Sequence, residues 1–223
     1  LEVSTDGGAT WNVVAGNVTI AAGATSVQLR LATSNDTLVE GNESFSLSVA
    51  VVGGGTSNAS ATGTVTITDN DTMTVSAVTA DDDDVNENRD AGSGNDITYS
   101  GTISSVASTV SLSINDSAAS GLTSNGQAIT YSWNSGTRTL TASSASGTVF
   151  TVTLNATNDG YTFKQFLAID HATGAGESQS LTIPLTLNAR DSGGSLITSS
   201  TLNVTVFDDA PAVSGSKAIA TDN

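Results

Sequence analysis

The sequence contains no cysteine, two prolines, one methionine and one histidine among its 223 residues. The lack of cysteine excludes disulfides, which commonly hold the loops of extracellular β-proteins. It also disfavours a zinc or copper site, because His171 is the one imidazole that such a metal could use. For a chain that works outside the cell, a bound hard metal ion is the expected substitute for disulfides.

Basic side chains are scarce as well, with 6 Lys and Arg against 22 Asp and Glu and a net charge of -16. Such a charge repels nucleic acids and anionic membranes and leaves cations as the natural counter-charge. No stretch approaches the roughly 20 consecutive apolar residues of a membrane-spanning helix. We therefore expect no nucleic-acid partner and no membrane insertion.

The composition favours β-structure, because helix-forming residues are scarce while Ser, Thr, Gly, Asn, Asp and Val are abundant. Residues 63–71 (GTVTITDND) and 202–209 (LNVTVFDD) each alternate between apolar and polar side chains and then run into acids. We interpret both as final strands of domains. The predicted fold is all-β, with tandem antiparallel β-sandwich domains at residues 1–71 and 72–209, followed by a linker or the start of a next domain at residues 210–223.

Residues 4–11, STDGGATW, match the SxDxGxTW pattern called an Asp box. In this pattern the aspartate ties down a β-hairpin turn and the aromatic residue packs beneath it, so the box carries no chemistry by itself. A sialidase would repeat the box in each propeller blade and place three arginines on the substrate carboxylate. Here the box occurs once, and the arginines are scattered over Arg30, Arg89, Arg138 and Arg190. We therefore predict a structural hairpin and no sialidase.

Four stretches of the first predicted domain follow one another as in a known motif: TDGGATW, AAGATSVQLRL, NDTLVEGNESFSLSV and GTVTITDND. In this order residues 1–71 resemble the Calx-β motif and related Ig-like repeats of bacterial surface proteins. The most specific part is Asp36, Glu40 and Glu43 before Phe45. The resemblance implies an antiparallel sandwich whose loop and terminal acids bind Ca²⁺ at one end. The motif's usual first strand would precede Leu1, so we expect either a fragment or another segment that supplies this edge.

Three stretches of the second predicted domain carry a further resemblance: SNGQAITYSW, TVFTVTLNATNDGYTF and NARDSGGSLITSSTLNVTVFDDAP. They are similar to a repeat module of large type I-secreted RTX proteins and adhesins. The resemblance implies a piece of a giant adhesin, extracellular on the surface of a Gram-negative bacterium. Its partners would be neighbouring repeat domains and, through other domains, surface glycans or proteins. One departure is the RDSGG stretch at residues 190–194, where the usual module has several acids, and this argues against calcium in that loop.

Clustered acids are the clearest chemical signal in the chain. The stretch ADDDDVNEN at residues 80–88 crowds five carboxylates together, and Lys and Arg are too few to balance them. A hard divalent cation would resolve this repulsion. Ca²⁺ takes about 6–8 oxygens from carboxylates, asparagine side chains and backbone carbonyls, and short loops rich in Asp, Asn and Glu offer that mixture.

We predict three groups of calcium ligands. The first group, called the boundary residues below, comprises Asp36, Glu40, Glu43, Asp69, Asn70 and Asp71. The second is the acidic run Asp81, Asp82, Asp83, Asp84 and Glu87, which either completes the first site or forms a separate one at the opposite end of the second domain. The third is Asp208 and Asp209, at the next boundary. The alternative for all three is that these acids are solvated turn residues.

The predicted function is that of a structural extender of a surface adhesin, which calcium stiffens and which supports adhesion and biofilm formation. The alternative is a calcium-dependent sugar- or peptide-binding module with an aromatic platform of Tyr131, Trp133, Tyr161 and Phe163. We predict no enzyme, because the acids lie in turn-like stretches instead of an apolar cleft and no GxSxG-type nucleophile motif is present. His171 is interpreted as a turn residue.

Overall fold

The structure, a computed structural model, describes residues 1–55, 59–85, 98–115, 121–171 and 179–208, and for Asp83 and Asp84 it describes the backbone alone. These residues form β-strands and one short 3₁₀ helix, Asp82–Val85, and none of them lies in an α-helix. The predicted all-β class is confirmed. Two predicted calcium ligands, Glu87 and Asp209, lie outside the described residues.

The chain divides into two units. Unit 1 comprises Leu1–Thr37 and Asn42–Asp69, and unit 2 comprises Leu38–Gly41 and Asn70–Asn223. The short segment Leu38–Gly41 therefore belongs to unit 2, although it comes from within the first predicted domain. No sequence pattern indicated that this segment belongs to unit 2.

In its described residues, unit 1 has the strands β1 (Glu2–Ser4), β2 (Asn12–Val13), β3 (Gln28–Arg30), β4 (Glu43–Ala50) and β5 (Ser60–Ile67). β1 lies between β2 and β3 in an antiparallel sheet, and β4 and β5 form a separate antiparallel hairpin. Residues 17–20 alternate between polar and apolar side chains, yet they form no strand. Ile20 is 51% exposed, so the alternation in residues 17–20 has no buried face to stabilise a strand.

Unit 2 is built on two larger sheets. The first has the order β12 (Thr130–Asn134), β13 (Thr139–Ser144), β14 (Gly147–Leu154), β15 (Gly160–Gln165), β8 (Thr98–Ser104) and β6 (Thr74–Val75). The second has the order β7 (Val78–Asp81), β17 (Leu196–Phe207), β16 (Ser180–Arg190) and β9 (Ser111–Asn115). A small hairpin is formed by β10 (Thr123–Ser124) and β11 (Gln127–Ala128).

Side chains from both sheets of unit 2 form one hydrophobic core. In β16 the alternate residues Ile183, Leu185 and Leu187 are fully buried, as the period of two requires. Phe150 of β14 and Phe163 of β15 meet in this core with 5.3 Å between their ring centroids. Burying one such side chain contributes roughly 1.5–3 kcal/mol, so the core is the main source of stability of unit 2.

The first strands of unit 2 fix the direction in which the chain crosses it. Residues 74–76 run antiparallel to β8, from Thr74 beside Ser104 to Ser76, whose amide donates to the Thr102 carbonyl at 3.0 Å. β7 continues this path and pairs in parallel with the last strand, β17. Asp81 at the end of β7 is the register partner of Phe207 at the end of β17. The first and last strands of unit 2 therefore finish at the same end.

Gly101 in β8 leaves room for the ring of Tyr161, its register partner in β15. A Cβ at Gly101 would lie 2.3 Å from that ring. The ring cannot easily move away, because Tyr161 is buried and its hydroxyl donates to the Ser76 carbonyl at 2.6 Å. Burial raises the pKa of Tyr161 to about 12, as expected for a phenol held in the core.

We expect Gly101→Ala to lower the free energy of unfolding by about 1–3 kcal/mol, because the added methyl group overpacks this contact. Urea denaturation followed by circular dichroism measures the change. Gly63→Ala in β5 is the matched control, since a Cβ there meets no atom within 4 Å. An equal effect of the two substitutions would contradict this account of Gly101.

Candidate functional site

Some of the boundary residues gather at one end of the β4–β5 hairpin in unit 1. Glu43 begins β4 opposite Ile67, the last residue of β5. Asp69 follows two residues later, and its backbone amide donates to the Asn42 side-chain oxygen at 3.0 Å. Asp36 lies on an exposed loop of the same unit. The carboxylate and amide oxygens at this hairpin end are the donor types that Ca²⁺ takes, so the chemistry of the residues fits the predicted ion.

The other boundary residues, Glu40, Asn70 and Asp71, belong to unit 2. Glu40 is exposed beside Val39, which is fully buried in unit 2. The Val39 amide donates to the Ser105 carbonyl at 2.7 Å, and the Val39 carbonyl accepts from the Ala107 amide at 3.1 Å.

Across the described ranges, no group of three or more His, Cys, Asp or Glu side chains is placed so that it could hold a metal ion. The calcium ligands therefore stay a prediction.

The acidic run is carried to the far end of unit 2. Because β7 runs parallel to β17, Asp81 and Asp82 arrive beside Asp208, which follows the last strand. Thr74, which follows Asp71 closely in sequence, pairs with Ser104, the last residue of β8. We call Asp81, Asp82 and Asp208 together the Asp208 end of unit 2. The backbone of Asp83 and Asp84 continues from it in the 3₁₀ helix.

Asp82 is buried, with 2% of its surface exposed, and its carboxylate accepts hydrogen bonds at both oxygens. The Gln165 side-chain amide donates to Oδ1, and the Ile169 backbone amide donates to Oδ2 at 3.0 Å. The Nδ1 atom of His171 lies 3.5 Å from Asp82 Oδ2 and 3.5 Å from Asp208 Oδ1. One imidazole therefore stands between the acid after β7 and the acid after β17.

His171 lies in a loop outside the strands, and only 3% of its side chain is exposed. Its Nδ1 lies 2.9 Å from the Ile169 carbonyl oxygen, and its Nε2 lies 3.0 Å from the Val206 carbonyl oxygen. Both ring nitrogens thus face acceptors.

Asp170, next to His171, fastens the same loop to the β10–β11 hairpin. Its carboxylate accepts from the backbone amides of Asn125 and Gly126, each at 2.8 Å, and its own amide donates to the Thr123 carbonyl at 2.9 Å. Burial alone would raise the pKa of Asp170, but these hydrogen bonds and the neighbouring His171 together lower it. The loop that carries His171 is therefore held from two sides.

The aromatic residues proposed as a binding platform do not form one. Tyr161 and Phe163 are 1% and 0% exposed and belong to the hydrophobic core. Tyr131 and Trp133 are half-buried and pack against the same core. Core packing, the common fate of aromatic residues in alternating strands, explains all four.

The Asp box forms the structural hairpin that its sequence predicts, between β1 and β2. Asp6 accepts from the Thr10 amide at 2.9 Å and the Thr10 hydroxyl at 2.5 Å, and from the Ser4 hydroxyl at 2.7 Å. Beneath the turn, Trp11 donates its indole N–H to the Gly8 carbonyl at 3.1 Å. The hydrogen bonds from Thr10 and Ser4 lower the pKa of Asp6 to about 2.

Comparison with known families identifies unit 2. Residues 77–205, more than half of the chain, match a family described as a domain of unknown function, DUF5801. The chain belongs to this family. The DUF5801 region begins just before β7 and ends within β17, so it includes nearly all of both large sheets.

No curated protein matches the chain. No described helix has the length and apolar character that a membrane crossing requires.

We expect NMR titration of the Asp6 carboxyl to give a midpoint of about 2, below the ordinary value of 3.8. Because the folded pKa is lowered, the stability contributed by Asp6 is complete above that ordinary value and is lost as pH falls toward about 2. Thr10→Val removes the hydroxyl donor and should move the midpoint upward. An unchanged midpoint in this variant would show that Thr10 does not hold the carboxylate.

Proposed function

We propose that this DUF5801 chain is a calcium-stiffened extender module of an extracellular bacterial surface adhesin of the RTX type. In this proposal its two units are β-sandwiches whose strands pair mainly antiparallel, and its task is to add length between other parts of a long chain in adhesion and biofilm formation. The proposal assigns no reaction centre to the chain. The parallel pairing of β7 with β17 is the observation that supports it most directly.

Parallel pairing of the first and last strands makes a unit suitable for a linear series. The chain enters unit 2 near Thr74 and leaves after Phe207, which lies beside the far end of the β6–β7 path. Each such unit therefore adds its own length to the chain. β17, with 12 residues, spans roughly 40 Å. An antiparallel pair of first and last strands would return the chain to its starting end.

Calcium is proposed at the β4–β5 hairpin end of unit 1, where Glu43, Asp69 and the Asn42 side chain supply carboxylate and amide oxygens in a chain with a net charge of -16. When bound, the ion would supply the missing positive charge and offset the repulsion between the carboxylates. Extracellular calcium modules bind with a Kd of about 0.1–1 mM, so at about 1 mM calcium each site would contribute roughly 0.4–1.4 kcal/mol. Such a site would be empty in the cytosol and filled after export.

We expect calcium to raise the melting temperature of the chain relative to the same protein in EGTA, because the ion binds only the folded state. The double variant Glu43→Gln/Asp69→Asn should lose this rise, since it removes two carboxylates from the hairpin end. Glu2→Gln is the matched control: it removes a carboxylate of unit 1 whose partner is Arg30, and it should keep the rise. An unchanged melting temperature of the parent protein would refute the calcium proposal.

The linear path through unit 2 is tested by distances between spin labels, which the absence of native cysteine makes straightforward. Labels at Thr72→Cys and Phe207→Cys should be roughly 25–30 Å apart, as estimated from the rise per strand residue. Labels at Thr79→Cys and Thr205→Cys, which are register partners, should be close neighbours. A short distance for the first pair would contradict the extender geometry.

A further inference from the structure

We infer that the segment Leu38–Gly41 is a clasp that keeps Asn42–Asp69, and with it the β4–β5 hairpin, out of the path of a pulling force along the chain. The clasp belongs to unit 2, whereas the stretches on both sides of it belong to unit 1. The chain therefore enters unit 2 at Leu38, leaves it after Gly41 and enters it again at Asn70. A force between the ends of the chain bypasses the intervening stretch as long as the clasp stays bound.

Val39 is the residue that holds the clasp in unit 2. Its side chain is fully buried and belongs to the same hydrophobic core as Ala107. Its amide donates to the Ser105 carbonyl at 2.7 Å, and its carbonyl accepts from the Ala107 amide at 3.1 Å. Val39 also forms a parallel bridge with Val106. One extended residue therefore binds the loop between β8 and β9 through its backbone and its side chain.

Gly41 gives the clasp a second fixed position. Its φ of +89° lies in the left-handed region, and a Cβ there would be 3.2 Å from the Ile197 side chain of β17. Glycine adopts this conformation without steric cost and leaves room for so close a neighbour. The clasp is thus fixed in unit 2 at Val39 and again at Gly41, just before the chain leaves.

The chain returns to unit 2 beside the place where the clasp is bound. Met73, close after the return, is buried in the core of unit 2, and Thr74 pairs with Ser104 of β8. The clasp is hydrogen-bonded to Ser105, the next residue after Ser104. The two ends of the bypassed stretch are therefore anchored to neighbouring residues at the end of β8. Tension passes from one anchor to the other through unit 2.

Unit 1 should yield to tension before unit 2 does. Val3 is the one apolar side chain that is buried among the described residues of unit 1. Regions with few buried contacts open at lower free energy, so Leu1–Thr37 should extend first. The clasp then stops the extension, and the hairpin end with Glu43 and Asp69 stays unloaded. The benefit of such protection rests on the proposed extender function, whereas the clasp itself does not.

The test stretches single molecules of the full chain in optical tweezers, with DNA handles on a cysteine added at each end. It is made in EGTA, so that failure of the calcium proposal cannot affect it. We expect a first step of about 130 Å in contour length as Leu1–Thr37 extends. A second step of about 110 Å should follow at higher force, when the clasp opens and the rest of unit 1 is released. A single step of about 240 Å would overturn the inference.

Val39→Ala weakens the clasp, because it removes most of the buried side chain. We expect the force of the second step to fall toward that of the first. Val49→Ala in β4 is the matched control: it is the same substitution at a side chain that is 53% exposed, and it should leave the second step unchanged. An unchanged second step in Val39→Ala would overturn the inference, as would an equal effect of the two substitutions.

A different pulling point separates the path of the force from the stability of the hairpin. Val52, 77% exposed in the connection after β4, accepts a handle as Val52→Cys. The force then reaches unit 2 through β5 and does not load the clasp. Opening should release about 60 Å, and Val39→Ala should not alter the force of this step. A lower force in Val39→Ala would show that Val39 stabilises the hairpin directly, and would overturn the inference.

Discussion

The parallel pairing of β7 with β17 is the constraint on which the rest of unit 2 depends. A parallel neighbour cannot be reached by a tight turn, and here the chain passes through both sheets between β7 and β17. This topology delivers Asp81, Asp82 and Asp208 to one end. The connectivity of the fold thus brings several negative charges together, and hydrogen-bond donors around Asp82 stabilise the buried one.

Much of this fold could be predicted from the sequence because most strands of unit 2 have one buried face. In β17, for example, Leu202, Val204 and Val206 are buried and alternate with polar residues. Residues 17–20 show a similar alternation, but four residues in a chain rich in Val and Thr do not distinguish a strand from a loop. The short β1 was missed for the same reason, since three residues carry no readable period.

The candidate sites were predictable only in part. The acids were visible as runs, and their oxygen chemistry follows from residue type alone. Their neighbours were not visible: Gln165 is 83 positions from Asp82, and Ile169 is 87 positions from it. Such contacts depend on which strands become adjacent, and no local pattern encodes that. The one available signal was a single histidine following an apolar stretch and an aspartate, which also fits an ordinary loop.

The two units differ in how much apolar surface they bury. Val3 is the one buried apolar residue among the described residues of unit 1, and an open groove of about 390 Å³ there is lined by side chains such as Leu29, Phe45 and Val65. Unit 2 holds the large core. Regions with few buried contacts open at lower free energy, so unit 1 is the less stable part of the described chain.

The segment Leu38–Gly41 has a practical consequence for anyone who expresses the DUF5801 region by itself. A shortened protein that starts at Asn70 would lack Val39, which is fully buried in unit 2 and hydrogen-bonded to Ser105 and Ala107. It would have a cavity in its core, and the Ser105 carbonyl and the Ala107 amide would lack their hydrogen-bond partners. Together these losses would lower the free energy of unfolding by about 1–3 kcal/mol. A synthetic peptide containing Val39, added in trans, is the natural way to repair it.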